Sequence, residues 1–142
     1  MAVYKIFPNK DASIYTISQS MNTGLDEIIE ASTTIQETRP QVSRYLINFS
    51  DTEITNAFAR FDQSTKDYDI FLKNYTAVVT GVNLDQKLEI FPVSGSWGMG
   101  TGKYYNQPFT TNGVSWEFRN FSGSAAEGAL KWNITGASGS AV

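Results

Sequence analysis

Ser43 to Phe49, SRYLINF, is the stretch on which the fold turns. It alternates strictly, with Tyr45, Ile47 and Phe49 on one side and Arg44, Leu46 and Asn48 on the other, the period-two pattern of a β-strand. Leu46 among the polar set puts apolar weight on both faces, so the strand is expected to be sheltered on both. Directly after it, Ser50 to Phe61 (SDTEITNAFARF) is the one helical candidate. Ser50 or Asp51 caps it, Glu53 stands at capping-box spacing from Ser50, and Ile54, Phe58 and Phe61 share a face. Its length suits a crossover between sheets.

Outward from this pair, β-type runs dominate. Val3 to Phe7 predicts a first strand, ended by Pro8-Asn9-Lys10-Asp11, and Ala12 to Ile17 a second, followed by a polar loop through Met21-Asn22-Thr23-Gly24. Glu27 to Ile35 has the β-branched density of a strand, interrupted by Glu37-Thr38-Arg39-Pro40. Tyr68 to Val79 (YDIFLKNYTAVV) is the strongest long strand region, with a turn at Thr80-Gly81-Val82-Asn83. Lys87 to Val93 alternates as far as Pro92, which marks an edge or a strand end. Ser94 to Gly102 is a glycine-dense loop around Trp97, and Val114 to Phe121 is a further strand with Trp116 and Phe118 on one face.

Residues 122-142 are rich in Gly, Ser and Ala, with only Leu130, Trp132 and Ile134 to bury. They read as a loop or weak final strand, leaving the sheet incomplete on its C-terminal side. About eight short strands and one short helix predict an all-β, jelly-roll-like β-sandwich. The module is placed at 1-121, with 122-142 as its tail.

Composition excludes several function classes. The chain has 142 residues, of which 13% are aromatic and 18% charged. The charged share falls below the roughly 25% of an average domain. Ser, Thr, Asn and Gly fill the difference, which suits sheets with uncharged polar faces. Net charge is −3 and the Lys and Arg residues stand singly, so no row of phosphates would be neutralised and nucleic acid is not an expected partner. Anionic membrane surfaces are disfavoured for the same reason. No apolar run reaches the roughly 20 residues of a membrane helix, and the N-terminus carries no secretory signal. The Asn-X-Ser/Thr triplets at Asn48, Asn74, Asn120 and Asn133 are therefore read as accidents of composition.

The sequence contains neither Cys nor His, which removes thiol nucleophiles, Ser-His-Asp triads, zinc sites and haem ligation. Acidic residues are few and sit at turn positions. No catalytic residue and no cofactor is assigned, and the chain is expected not to be an enzyme.

The order of three motifs resembles a known family. Lys10-Asp11-Ala12-Ser13-Ile14-Tyr15, then Asn22-Thr23-Gly24-Leu25-Asp26-Glu27-Ile28-Ile29, then Ser43 to Phe49 resemble the opening of DNRLRE-type jelly-roll modules. Leu88 to Ser94 with Trp97, Gly100 and Gly102, and later Thr111-Asn112-Gly113-Val114-Ser115-Trp116, are similar to that family's central and late motifs. The pattern is closest to N-terminal modules of structural proteins from large tailed marine bacteriophages, and it covers residues 3 to 118. The resemblance implies a virion protein that packs against copies of itself or other capsid, neck or tail proteins. Family modules continue with several more strands; this sequence instead enters its Gly/Ser/Ala-rich tail, so a neighbour is expected to complete the open edge.

Individual residues carry two readings each. Trp97, Tyr104 and Tyr105 flank the glycine-rich loop and are the candidate surface-binding aromatics, a stacking platform for a host surface glycan or another partner. The resemblance places a tryptophan there as part of the fold, so for Trp97 a plug at one end of the sandwich is the favoured reading, while Tyr104 and Tyr105 stay open. Asp11, Asn22, Asp26 and Asp51 are oxygen donors of the kind Ca²⁺ takes, yet no EF-hand spacing occurs and each fits a turn or cap, so no metal is assigned. Arg44 is expected to pair with a carboxylate such as Asp26 or Glu27. Gly98 to Gly102 lacks the Lys-Ser/Thr of a phosphate-binding loop, and that reading is rejected.

Overall fold

The computed structural model describes residues 3–36, 39–61, 68–77, 88–122 and 129–137. Most of its regular structure is strand, in two antiparallel sheets with one short helix, a small all-β fold. In chain order the elements are β1 (Pro8–Tyr15), β2 (Thr33–Gln36), β3 (Arg39–Phe49), α1 (Asp51–Phe58), β4 (Phe118–Asn120) and β5 (Leu130–Lys131). β3 is the middle strand of a three-stranded sheet ordered β1-β3-β2, and β4 pairs with β5.

SRYLINF is thus the sheet's spine, but the strand starts earlier than its alternation implies. Arg39 and Pro40, expected to interrupt, open β3 opposite Gln36 and Ile35. Pro40 sits at a position where β3 has β2 on one side only, the kind of place where a missing N–H breaks no ladder. Pro8 to Asp11, expected as a turn, belongs to β1, with a register shift between Pro8 and Lys10. Val3 to Phe7 forms no strand, and of Glu27 to Ile35 only the last three residues join β2.

The register determines what faces what. Ala12 lies opposite Leu46 and Ile14 opposite Arg44, so Lys10, Ala12 and Ile14 share a face with Asn48, Leu46 and Arg44. That face carries the core: Ala12, Ile14, Leu46, Trp97 and Val114, with Met99, Trp116, Trp132 and Ala137 packed around it. Two cations close its ends. Lys10 Nζ lies 4.8 Å from the centre of the Trp97 ring and the Arg44 guanidinium 5.1 Å from that of Trp116. The opposite face bears Ser13, Tyr15 and Ser43, which are also buried. Residues 23–32 cover it: the Glu30 N–H donates to Ser13 Oγ, and the Ser32 N–H to Ser43 Oγ. The shelter expected on both faces is partial: Ser43 and Leu46 are buried, Tyr45, Ile47, Asn48 and Phe49 are half-buried, and Arg44 is exposed.

A single side chain joins the loops above the core. Asn22 is fully buried, and its Nδ2 donates to the carbonyls of Met99 and Val114, both at 2.8 Å. Its Oδ1 accepts from the amides of Gly102 at 2.8 Å and Gly24 at 3.2 Å. Its own backbone N–H donates to Thr110. The next residue performs a similar task for the sheet. Thr23 Oγ1 accepts from the Ser13 N–H and donates to the Ser13 carbonyl, covering the outer edge of β1. Glycine is forced where these strands of chain touch: a Cβ on Gly24 would overlap the Met99 carbonyl. Gly113 combines a φ of +84° with contact against the Gly100 backbone.

α1 follows its sequence signal. Ser50 is the N-cap and its Oγ accepts from the Glu53 N–H. The helix stops at Phe58, three residues short of the expected end, and buries Ala57 while Ile54 and Phe58 stay half-buried.

Asn22→Ala leaves two carbonyls and two amides without their buried partner, and is expected to lower unfolding free energy by about 3 kcal/mol. Asn22→Asp keeps the shape but cannot donate to Met99 and Val114, and should cost at least as much. Urea denaturation measures both; a change below about 1 kcal/mol would contradict the role given to this amide.

Candidate functional site

The three motif regions that lie far apart in sequence meet at one place. Asn22-Thr23-Gly24, the run from Gly98 to Gly102, and Asn112 to Ser115 are all held by the Asn22 amide or by bonds one residue away from it. The Thr101 N–H and Asn112 Oδ1 are linked at 3.0 Å, and the Val114 N–H donates to the Gly98 carbonyl. The glycine run is therefore internal architecture. Its Gly102 amide is already spent on Asn22, and its backbone offers no empty cradle for a phosphate.

Trp97 is 7% exposed and belongs to the core. It shares the buried cluster with Ala12, Ile14, Leu46 and Val114, and Lys10 Nζ lies over its ring and donates to the Trp97 carbonyl at 3.0 Å. It presents no free face, so the platform of three aromatics reduces to Tyr104 and Tyr105.

Those two tyrosines form a corner that opens outward. Tyr15 is buried, Tyr104 is 39% exposed and Tyr105 89%. The rings step from inside to outside, Tyr15 to Tyr104 at 5.3 Å and Tyr104 to Tyr105 at 5.2 Å, the latter pair at 81°. Edge-to-face packing of this kind fixes each ring against the next. The foot of the corner is tied down from the other loop. The Tyr104 N–H donates to both oxygens of Asp26, at 3.1 and 3.3 Å. Lys103 pairs with Glu27 at 3.5 Å, and the Leu25 N–H donates to the Gly102 carbonyl. Asn106 Nδ2 donates to Thr110 Oγ1 and closes the loop on its far side. Beneath, Tyr15 Oη donates to Glu30 at 3.3 Å. Burial, with the Glu30 and Asp26 carboxylates nearby, pushes that phenol above its ordinary range, so it stays protonated as a donor.

The corner thus combines one fully presented ring, one half-presented ring at right angles, and a rim with both charge signs and amide groups. Such a surface can stack against an apolar face and hydrogen-bond around it.

The candidate oxygen ligands are not gathered. Asn22 is buried with its Oδ1 in use, Asp26 serves Tyr104, Asp51 starts α1 and Asp11 lies in β1. Among the described residues no three acidic side chains cluster as a metal site. Burial raises the Asp11 carboxyl above the usual carboxylate value.

Arg44 differs from its expected pairing. Asp26 and Glu27 are engaged by Tyr104 and Lys103, whereas Arg44 Nη1 donates to the Gly136 carbonyl at 2.7 Å and its guanidinium covers Trp116. The Gly136 N–H donates back to the Trp116 carbonyl, and Trp132 Nε1 to the Ser115 carbonyl at 2.9 Å. Residues 129–137 are thereby fastened onto the sheet that residues 113–118 prepare.

Sequence reasoning missed Tyr15, Asp26 and Glu30 as supports of the aromatic corner. The only signal was their polarity beside β-type runs, which gives no hint of a partner about 80 residues away. What the fold and site define is a small all-β chain with a rigid interior node and a presented aromatic corner. No family model, curated protein or solved structure matches the chain.

Proposed function

We propose that the chain is a non-catalytic packing module of a larger assembly, a jelly-roll-like sandwich closed by its neighbours. The observation that carries this reading is the state of residues 68–77 and 88–94. They contain the strongest β-forming sequence in the chain, YDIFLKNYTA and LEIFPVS, yet join neither sheet. Phe71 is 84% exposed, and Ile70, Tyr75, Ile90 and Phe91 are also largely bare. Apolar residues rarely stand so contiguously on a monomer's surface unless something covers them.

The motif order shared with modules of tailed-bacteriophage structural proteins supports placing the assembly in a virion, as a capsid decoration, neck or tail component.

A second reading is favoured by the Tyr104–Tyr105 corner. Perpendicular exposed rings rimmed by Lys103, Glu27 and Asn106 suit the apolar face and hydroxyls of a sugar, so the module would attach to a glycan.

Two measurements test these readings. In sedimentation velocity at micromolar concentration, the packing reading expects either self-association or a monomer that binds an apolar fluorescent dye, with the dye lost in Phe71→Ser. A monomer that does neither contradicts it. The glycan reading expects array binding that Tyr105→Ala abolishes, with the fold unchanged; an array without binding removes it.

A further inference from the structure

We infer that the occupant of the exposed 68–77 segment is a second copy of this chain, with each copy adding that segment to the outer edge of its partner's β2. This rests on the packing reading above and names the partner and the contact.

The acceptor is defined by hydrogen-bond register. The Ser43 N–H donates to the Ser32 carbonyl, and Thr33 lies opposite Val42, Thr34 opposite Gln41 and Ile35 opposite Pro40. In an antiparallel ladder, bonded pairs alternate. Thr34 therefore turns its backbone groups toward β3, while Thr33 and Ile35 turn theirs outward. Ile35 is 80% exposed. Nothing protects this edge: it has no proline, no charge and no covering loop among the described residues.

Among the described residues, parts of two other edges are already bonded. The Thr23 hydroxyl covers β1 at Ser13. On the smaller sheet, β4 is flanked by the Gly98 N–H donating to Arg119 and by the Gly113–Phe121 pair.

The donor is equally defined. Tyr68 is anchored by ring contacts with Phe58 and Phe61 at 5.4 and 6.2 Å, and residues 69–77 then run on with no backbone hydrogen bond to another described residue. Among the described residues the chain thus carries both an open edge and a β-type segment without a ladder partner, and a two-fold exchange satisfies both twice over. A different protein would have to supply both an edge and a strand to achieve the same.

The absence of cysteine makes the test clean. Ile35→Cys chains are mixed with chains carrying Ile70→Cys, Phe71→Cys or Leu72→Cys, then oxidised. Cross-strand neighbours lie about 5 Å apart, within disulfide reach. At least one mixture should give a disulfide dimer containing one chain of each kind, and Ile35→Pro, which removes an outward N–H only, should reduce the wild-type dimer to a folded monomer. An oligomer that yields no mixed disulfide and survives Ile35→Pro overturns this contact while leaving the packing reading intact. A disulfide closing within one monomeric double variant overturns the second copy as occupant. A dye-binding monomer also overturns it without touching the packing reading, and a monomer that binds no dye removes both.

Discussion

The buried amide of Asn22 is the constraint on which the rest of the structure depends. It is the only side chain described here that ties residue 24, residues 99–102 and residue 114 to one point, and it does so with every hydrogen-bonding atom occupied. A primary amide has two donors and two acceptor lone pairs, and all four are used. In the interior each of those bonds is worth more than in water, and each broken one leaves a buried partner unpaired. Much follows from it. Gly24, Gly100, Gly102 and Gly113 are glycines because the chain must approach Asn22 or its partners closely. Trp97 and Val114 reach Ala12, Ile14 and Leu46 because the loops bearing them are pinned to the amide.

That rigid interior explains how the outer features are presented. The loop after Gly102 leaves the node in a fixed direction, so Tyr104 meets Tyr15 and Asp26 and turns Tyr105 into solvent. The surface pair Lys103–Glu27 adds orientation more than stability, since exposed ion pairs contribute little. By contrast, the apolar side chains Ile70, Phe71, Tyr75, Ile90 and Phe91 remain largely bare, and Tyr68 is held by ring contacts with Phe58 and Phe61. Among the described residues, the part around Asn22 thus satisfies its own polar groups, while 68–77 and 88–94 expose their apolar side chains.

How much was legible in the sequence depended on whether local or distant contacts decide each element. The spine could be read from SRYLINF because its alternation is a local property, and α1 because Ser50 caps it within three residues. Trp97 could be read as a plug, and the glycine run as something other than a phosphate loop. Asn22 could not be found, since Asn before Thr-Gly has the same composition as an exposed turn, and only contacts near residues 100 and 114 bury it. Strand limits failed for the same reason: Lys10 and Asp11 look like turn residues, and pairing with Asn48 and Ile47 makes them strand. Tyr68 to Ala77 has strand propensity but no ladder partner among the described residues, and propensity alone forms no sheet. Val78, Val79, Thr80 to Asn83 and Lys87 lie outside the described residues.

Amide hydrogen exchange at Gly24 and Gly102 tests the central claim most directly. Both amides lie in loops, where exchange is ordinarily fast, but both donate to Asn22 Oδ1. The structure predicts that they exchange only with global unfolding, alongside the amides of β3, and far more slowly than that of neighbouring Lys103. Exchange at the rate of Lys103 would mean that the loops open independently of the core, and Asn22 would not be the node that holds them.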